Sequence, residues 1–419
     1  MAYKLDFKAT RLKNGIMVYH KATDDPFALV SIHIPVGHIH NTGSVRPGAA
    51  HFLEHMAMNR SARFPEKEQF DRFVAFAGGS TNAATSMLQT EYELSIPSSH
   101  FKDAFLGLMS HVFEPLLDER DLENEASVID NERAGGVNWW PGRNKLEQHR
   151  LIRWKYQDLI TVRQHIGLHD DLYAMTVADL RALHAAYFDP RAYVVIGGDF
   201  DLGLVTRELS KLEVKEHRLP ARYRKSGWTR RLFHHARFTD VESYTYHMAG
   251  MPETRRLEDV LAIRHIGRLL TNTTHGALYE WLRRDLGWCY SLDFSESHGS
   301  EIYPADWELT IPLDSFKKVQ TMRRELRGRM EGALMDRELL EREHERIVSS
   351  RVFELQTLGS AVDTVDAILS AYGKLVTDKD YADSFERCRD PRYLQRIYDR
   401  FMSPRVSGEF LAIPEKPRK

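Results

Sequence analysis

The chain has 419 residues, 42% of them hydrophobic and 28% charged, the proportions of a folded globular protein too long for one ordinary core. Its 58 basic and 60 acidic side chains leave a formal charge of −2, which removes any general electrostatic case for nucleic acid or a membrane surface as partner. Cys289 and Cys388 are too few for a disulfide framework, residues 1–8 lack the apolar stretch of a secretory leader, and no apolar run approaches the roughly 20 residues of a spanning helix, so a cytoplasmic protein is expected.

In chain order, residues 11–19 read as strand, Asn14-Gly15 turn and strand, and residues 28–36 as a further strand. Residues 48–58 and 66–76 read as helices. The first of them contains His51-Phe52-Leu53-Glu54-His55. At roughly 100° per residue, His51, Glu54 and His55 project from one side of a helix, so two imidazoles and a carboxylate share one space. Gly78-Gly79 then leads into strand sequence through residue 96, with Ser80 to Ser86 small and polar. Residues 100–113 and 118–134 read as helices. The second of these places Glu125 and Glu132 seven residues, or two turns, apart and on one face. A helix is expected at 177–187 and a buried strand at 193–199.

The composition turns to Lys, Arg, Glu and Pro220 over 212–228, as in a surface linker, which divides the chain at about 215/216. Order then repeats loosely: a strand at 243–248, a helix at 256–270, a second helix ending at Gly287 and a strand at 288–292. Arg283 falls in the last turn of that helix, Gly287 can cap it, and Tyr290 follows in the strand.

Glu132 follows His55 after 76 intervening residues, with Glu125 before it. Together with Ala50-His51-Phe52-Leu53-Glu54-His55-Met56 and Gly78-Gly79-Ser80-Thr81-Asn82-Ala83-Ala84-Thr85-Ser86, this resembles the pitrilysin/insulinase family of metallopeptidases, the inverzincins, in the short form of the mitochondrial processing peptidase subunits. The resemblance covers essentially the whole chain. It implies an α+β protein of two similar αβ domains from an internal duplication, residues 1–215 and 216–419, each a mixed, mainly antiparallel sheet packed against helices. It implies Zn2+ held by His51, His55 and Glu132, with Glu54 as general base and Glu125 supporting the metal shell. The strand with Asn82 and Ala83 would hold an extended peptide, and Arg283 and Tyr290 would steady the scissile carbonyl, with Arg284 the rival for that role. The function implied is a zinc endopeptidase acting on short or unfolded peptides inside a homodimeric chamber, with a heterodimer beside an inactive homologue as the competitor. The alternative is a non-catalytic subunit of a larger complex. Neither membrane nor nucleic acid is an expected partner.

Other features read as structural. Trp139-Trp140-Pro141 is taken as packing or partner surface, His33, His38 and His40 as strand and loop histidines, and His234-His235 and Glu343-His344-Glu345 as isolated surface clusters. Gly197-Gly198-Asp199 follows a strand but lacks the spacing of a dinucleotide fingerprint.

Overall fold

The computed structural model describes residues 3–41, 45–135, 165–217, 234–238, 242–299 and 305–415. Trp139-Trp140-Pro141 and residues 218–228 of the expected linker lie outside them. Strands β1 (Lys8–Arg11) and β2 (Met17–Ala22) pair antiparallel across the Asn14-Gly15 turn, where Gly15 takes φ +98°. With β3 (Phe27–Ile34), β4 (Ser80–Thr85), β5 (Thr90–Pro97) and β6 (Tyr193–Gly198) they form one sheet of order β1-β2-β6-β3-β5-β4, in which only β2 and β6 run parallel.

A second sheet is built from β7 (His234–Phe238), β8 (Tyr244–Gly250), β9 (Asp293–Ser297), β10 (Asp306–Leu313) and β11 (Gly408–Pro414) in the order β7-β11-β8-β10-β9. Its one parallel pair joins its first strand to its last, and the parallel pair of the first sheet joins its second strand, β2, to its last, β6. Setting β2, β6, β3, β5 and β4 against β7, β11, β8, β10 and β9 matches every neighbour and every direction. The second half repeats the first, and the fold is α+β with two mixed, mainly antiparallel sheets.

The helices of the first half are α1 (Ala49–Asn59), α2 (Gln69–Phe76), α3 (Phe101–Phe113), α4 (Glu119–Gly135), α5 (His169–Tyr173), α6 (Val177–His184) and α7 (Leu202–Ser210). Alternation on β5 sends Tyr92, Leu94 and Ile96 to the face where Phe52, Leu53 and Met56 of α1 and Phe105 and Leu108 of α3 form the core. Burial of each such large side chain contributes roughly 1.5–3 kcal/mol.

The second half carries α8 (Leu257–Thr271), α9 (Ala277–Tyr279, continuing as a π-helical turn over Glu280–Asp285), α10 (Phe316–Met335), α11 (Arg337–Glu354), α12 (Leu358–Tyr372), α13 (Asp378–Arg387) and α14 (Pro391–Phe401). Helix α12 crosses to the first sheet, where Leu358, Val362 and Val365 join Tyr19 and Val195 in one buried cluster. This explains why β3 shows no clean alternation: both of its faces are covered.

Two expectations fail here. Residues 288–292 are not a strand; β9 begins at Asp293. Cys289 and Leu292 are both buried although three apart, a spacing the period of two in a strand cannot give. Nor is Glu343 a surface residue. It is fully buried, with His275 Nε2 2.9 Å from its carboxylate and Arg346 paired with it. Cys289 and Cys388 are buried and form no disulfide. Among the described residues no helix is long and apolar enough to cross a membrane.

Candidate metal centre

Helix α1 starts where Gly48 takes φ +80°, a conformation that favours glycine, and a Cβ there would sit 2.6 Å from the carbonyl oxygen of Ile166. That close approach seats the start of α1 against the segment that carries His165. The Asn41 side-chain oxygen accepts the backbone N–H of Ala50 at 3.0 Å, satisfying one of the donors a helix start leaves open. With Phe52, Leu53 and Met56 fixed in the core, His51 and His55 emerge on the opposite side towards α4.

There the donors converge. Glu132 Oε2 lies 3.7 Å from His51 Nε2 and 3.6 Å from His55 Nε2, and one ligand atom from each of the three residues falls within 4.8 Å of the others. Tetrahedral zinc with N and O ligands at its usual bond lengths separates them by about 3.3 Å, so a small contraction suits the ion. Two imidazoles and a carboxylate are also the right donor chemistry. The residues fit zinc.

The electrostatics agree with an assembled site. Burial, with His55 as neighbour, lowers His51 and keeps it neutral, the form that ligates. Burial opposes charge on His55 too, but the carboxylates of Glu125 and Glu132 outweigh it and push His55 up to about 9, so a proton and a cation compete for this ring. The second acid is placed by its partners: Glu125 is buried, its Oε2 lies 3.5 Å from His55 Nδ1, and its Oε1 accepts from Lys67 Nζ at 2.8 Å. Although burial works to raise it, those hydrogen bonds hold its carboxyl well below the ordinary range.

Glu54 is buried beside the triad, and burial raises its carboxyl even though Thr85 Oγ1 donates to Oε2 at 2.5 Å and pulls the other way. A carboxylate shifted towards neutrality is better matched to proton transfer than an ordinary one.

Thr85 ends β4, which among the described residues is an edge strand of the first sheet. Asn82 and Ala83 lie in the middle of that strand; Asn82 Nδ2 donates to Glu93 Oε2 at 2.8 Å and Ala83 leans on the core. In the second half, Gly287 at φ +59° closes α9 as expected, and the Arg283 guanidinium lies 4.9 Å over the ring of Tyr290, which is 81% exposed. Arg284 is instead paired with Glu280 at 2.6 Å. Among the described residues, no hydrogen bond, ion pair or ring contact joins Arg283 or Tyr290 to the triad within this chain.

Residue spacing gave no sign of three neighbours of the site. Thr85 was visible only as part of a strand. His165 stacks 6.3 Å from His51, and buried His38 meets His165 edge-on at 3.8 Å; burial keeps His165 neutral, down at about 4, and lowers His38 as well. Neutral rings do not repel a cation held by His51.

Comparison with known proteins gives the family. Residues 16–151 match the model of insulinase, peptidase family M16, and residues 174–346 match that of the peptidase M16 inactive domain. The first match contains His51, Glu54, His55, Asn82, Ala83, Glu125 and Glu132, the second Arg283 and Tyr290. The chain belongs to the insulinase family, peptidase family M16. It is 32% identical over 134 residues to an insulin-degrading enzyme homolog of Dictyostelium discoideum and 31% identical over 129 residues to protease 3 of Escherichia coli K12, matches that cover 31% and 30% of this chain but only 14% and 13% of those proteins. A solved protease from Helicobacter pylori matches 98% of this chain and 100% of its own at a TM-score of 0.78 and 18% identity. The periplasmic protease PqqL of Escherichia coli matches 99% of this chain and 48% of its own at 0.73 and 15%. At these identities the two structures speak for the fold alone.

Proposed function

We propose that this chain is a zinc-dependent endopeptidase that cleaves short or unfolded peptides, two copies closing around the site. The convergence of His51 Nε2, His55 Nε2 and Glu132 Oε2 beside the buried carboxylate of Glu54 carries the reading. When bound, zinc polarises water and substrate carbonyl and brings the water's pKa towards neutrality. Glu54 takes a proton from the attacking water at its carboxylate and later passes it to the leaving amine. Thr85 keeps that carboxylate aimed, and Glu125, itself held by Lys67, orients the His55 ring through Nδ1. The open edge of β4 pairs with an extended peptide, backbone to backbone, with Asn82 and Ala83 at the middle of the contact.

Arg283 and Tyr290 are suited to donate hydrogen bonds to the substrate carbonyl and to the oxyanion formed on attack. Their separation from the triad within one chain favours a site completed in trans by a second copy. Two unpaired cysteines in so long a chain suit a reducing, cytoplasmic setting.

A quenched-fluorescence peptide assay on zinc-loaded protein tests the function. Wild type should cleave, and Glu54→Gln should keep its zinc while losing at least about a hundredfold in turnover. Comparable activity in that variant sinks the general-base role. A folded, zinc-loaded wild type that cleaves nothing alone would instead assign the chain to a heterodimer or to a non-catalytic subunit.

A further inference from the structure

On the face of the first sheet turned away from α1, a second group of ligand atoms meets beneath α12. His33 of β3 is 1% exposed, its Nε2 lies 2.9 Å from Asp366 Oδ1 of α12 and 3.5 Å from Glu91 Oε1 of β5, and one ligand atom from each lies within 4.8 Å of the others. The other ring nitrogen, Nδ1, is 3.1 Å from the Gln89 side-chain amide, which fixes the ring so that Nε2 faces the two carboxylates. Ser31 Oγ donates to Glu91 Oε1 at 2.7 Å and steadies the same oxygen that faces His33. Tyr193 stacks on His33 at 4.3 Å, and its buried hydroxyl oxygen makes no hydrogen bond of ordinary geometry. A buried polar atom of that kind calls for a water or an ion-bound ligand nearby.

The charge around this point is one-sided. Glu93 and Asp363 flank Glu91 and Asp366 on the same two elements, both lining a cleft between the sheet and α12. Among the ion pairs of the described residues, none joins a Lys or Arg to any of the four acids. One imidazole between the half-buried carboxylates of Glu91 and Asp366, with Glu93 and the exposed Asp363 close by, leaves excess negative charge against a covered sheet face, and such charge is held either by a cation or at considerable cost.

We propose that His33, Glu91 and Asp366 form a second divalent-cation site, separate from the HxxEH centre, that fastens α12 to the outer face of the first sheet. One imidazole nitrogen and two carboxylate oxygens suit zinc, with water from the open side at Glu91 completing the shell. The separations of 2.9 and 3.5 Å bracket the roughly 3.3 Å that tetrahedral zinc sets between such donors. The ion would bridge residues 333 positions apart, so its binding is coupled to the docking of the two halves.

The experiment is a zinc titration of the full chain after chelator treatment, read by calorimetry and by X-ray absorption at the zinc edge. Wild type should take up two equivalents, His51→Ala/His55→Ala one, and His33→Ala one. In the double variant the absorption spectrum should show a single imidazole, and zinc should raise its Tm. Adding Asp366→Asn to the double variant should remove both the binding and the Tm rise. A folded double variant that binds no zinc, or one whose zinc survives both His33→Ala and Asp366→Asn, overturns the proposal. Were the HxxEH centre the one that fails, wild type would bind a single equivalent that His33→Ala removes, so the two failures are told apart.

Discussion

Thr85 Oγ1 donates to Glu54 Oε2 across 2.5 Å, tying the last residue of the edge strand to the carboxylate beside His51, His55 and Glu132. In the proposed mechanism the strand that would receive the peptide and the group that would move the proton are therefore one mechanical unit. Thr85→Val removes the hydroxyl with little change of shape, which frees Glu54 to rotate and leaves it buried without its donor. Turnover should fall about tenfold with zinc content unchanged, and Thr85→Ser should restore most of it. Equal kcat values for wild type and Thr85→Val would show that Glu54 does not need this support.

In the proposed site Glu125 would act at one remove from the metal. Glu125→Gln keeps the shape but withdraws the charge facing His55 Nδ1, and zinc affinity should drop between about 10- and 100-fold, as measured against a competing chelator. Lys67→Met should do less, because it loosens Glu125 without removing it. Should Lys67→Met weaken zinc more than Glu125→Gln, the roles assigned here are reversed.

The surface position of Arg283 and Tyr290 leads to a mixing experiment. If these side chains serve the site of the other copy, Glu54→Gln and Arg283→Ala proteins, each inactive alone, should together recover about a quarter of wild-type activity after random reassortment. No recovery, with subunit exchange verified by mass spectrometry, would place the pair in cis or outside the reaction.

Acid stability depends on a residue remote from chemistry. His265 in α8 is fully buried with neither ring nitrogen hydrogen-bonded, and burial lowers it from 6.5 to about 4. Its folded value lies below its unfolded one, so the stability it supports is complete above pH 6.5 and drains away as pH falls towards 4. His265→Leu should flatten that limb of the stability curve by close to one proton, judged from urea midpoints at several pH values. An unchanged slope would mean that His265 binds its proton equally well folded and unfolded.

Helix α1 and the shared face of Glu125 and Glu132 on α4 were legible because short spacings report on single helices: His51 to His55 is one turn, and Glu125 to Glu132 is two. The turn at Gly15 and the cap at Gly287 were legible for the same local reason. What escaped depends on pairing between distant segments. His33 looked like a strand histidine because its partner Asp366 is 333 residues away, and Glu343 looked like surface because His275 and Arg346 that pair with it lie on a separate helix connection and its own next turn. The apolar stretch at 288–292 resembled a strand, but the chain there follows the core after Gly287 and reaches the sheet only at Asp293. Helices α10 to α14 carry no local mark of where they dock.

The crossing of α12 onto β6 bears on synthesis. A nascent chain that has emerged as far as residue 215 holds every strand of the first sheet, yet Leu29, Tyr19 and Val195 still face water, because Leu358, Val362 and Val365 have not been translated. The first sheet is thus finished last. Until then its bare side is an exposed sticky surface, which makes a chaperone during translation, or rapid arrival of the C-terminal third, a condition for reaching the native state.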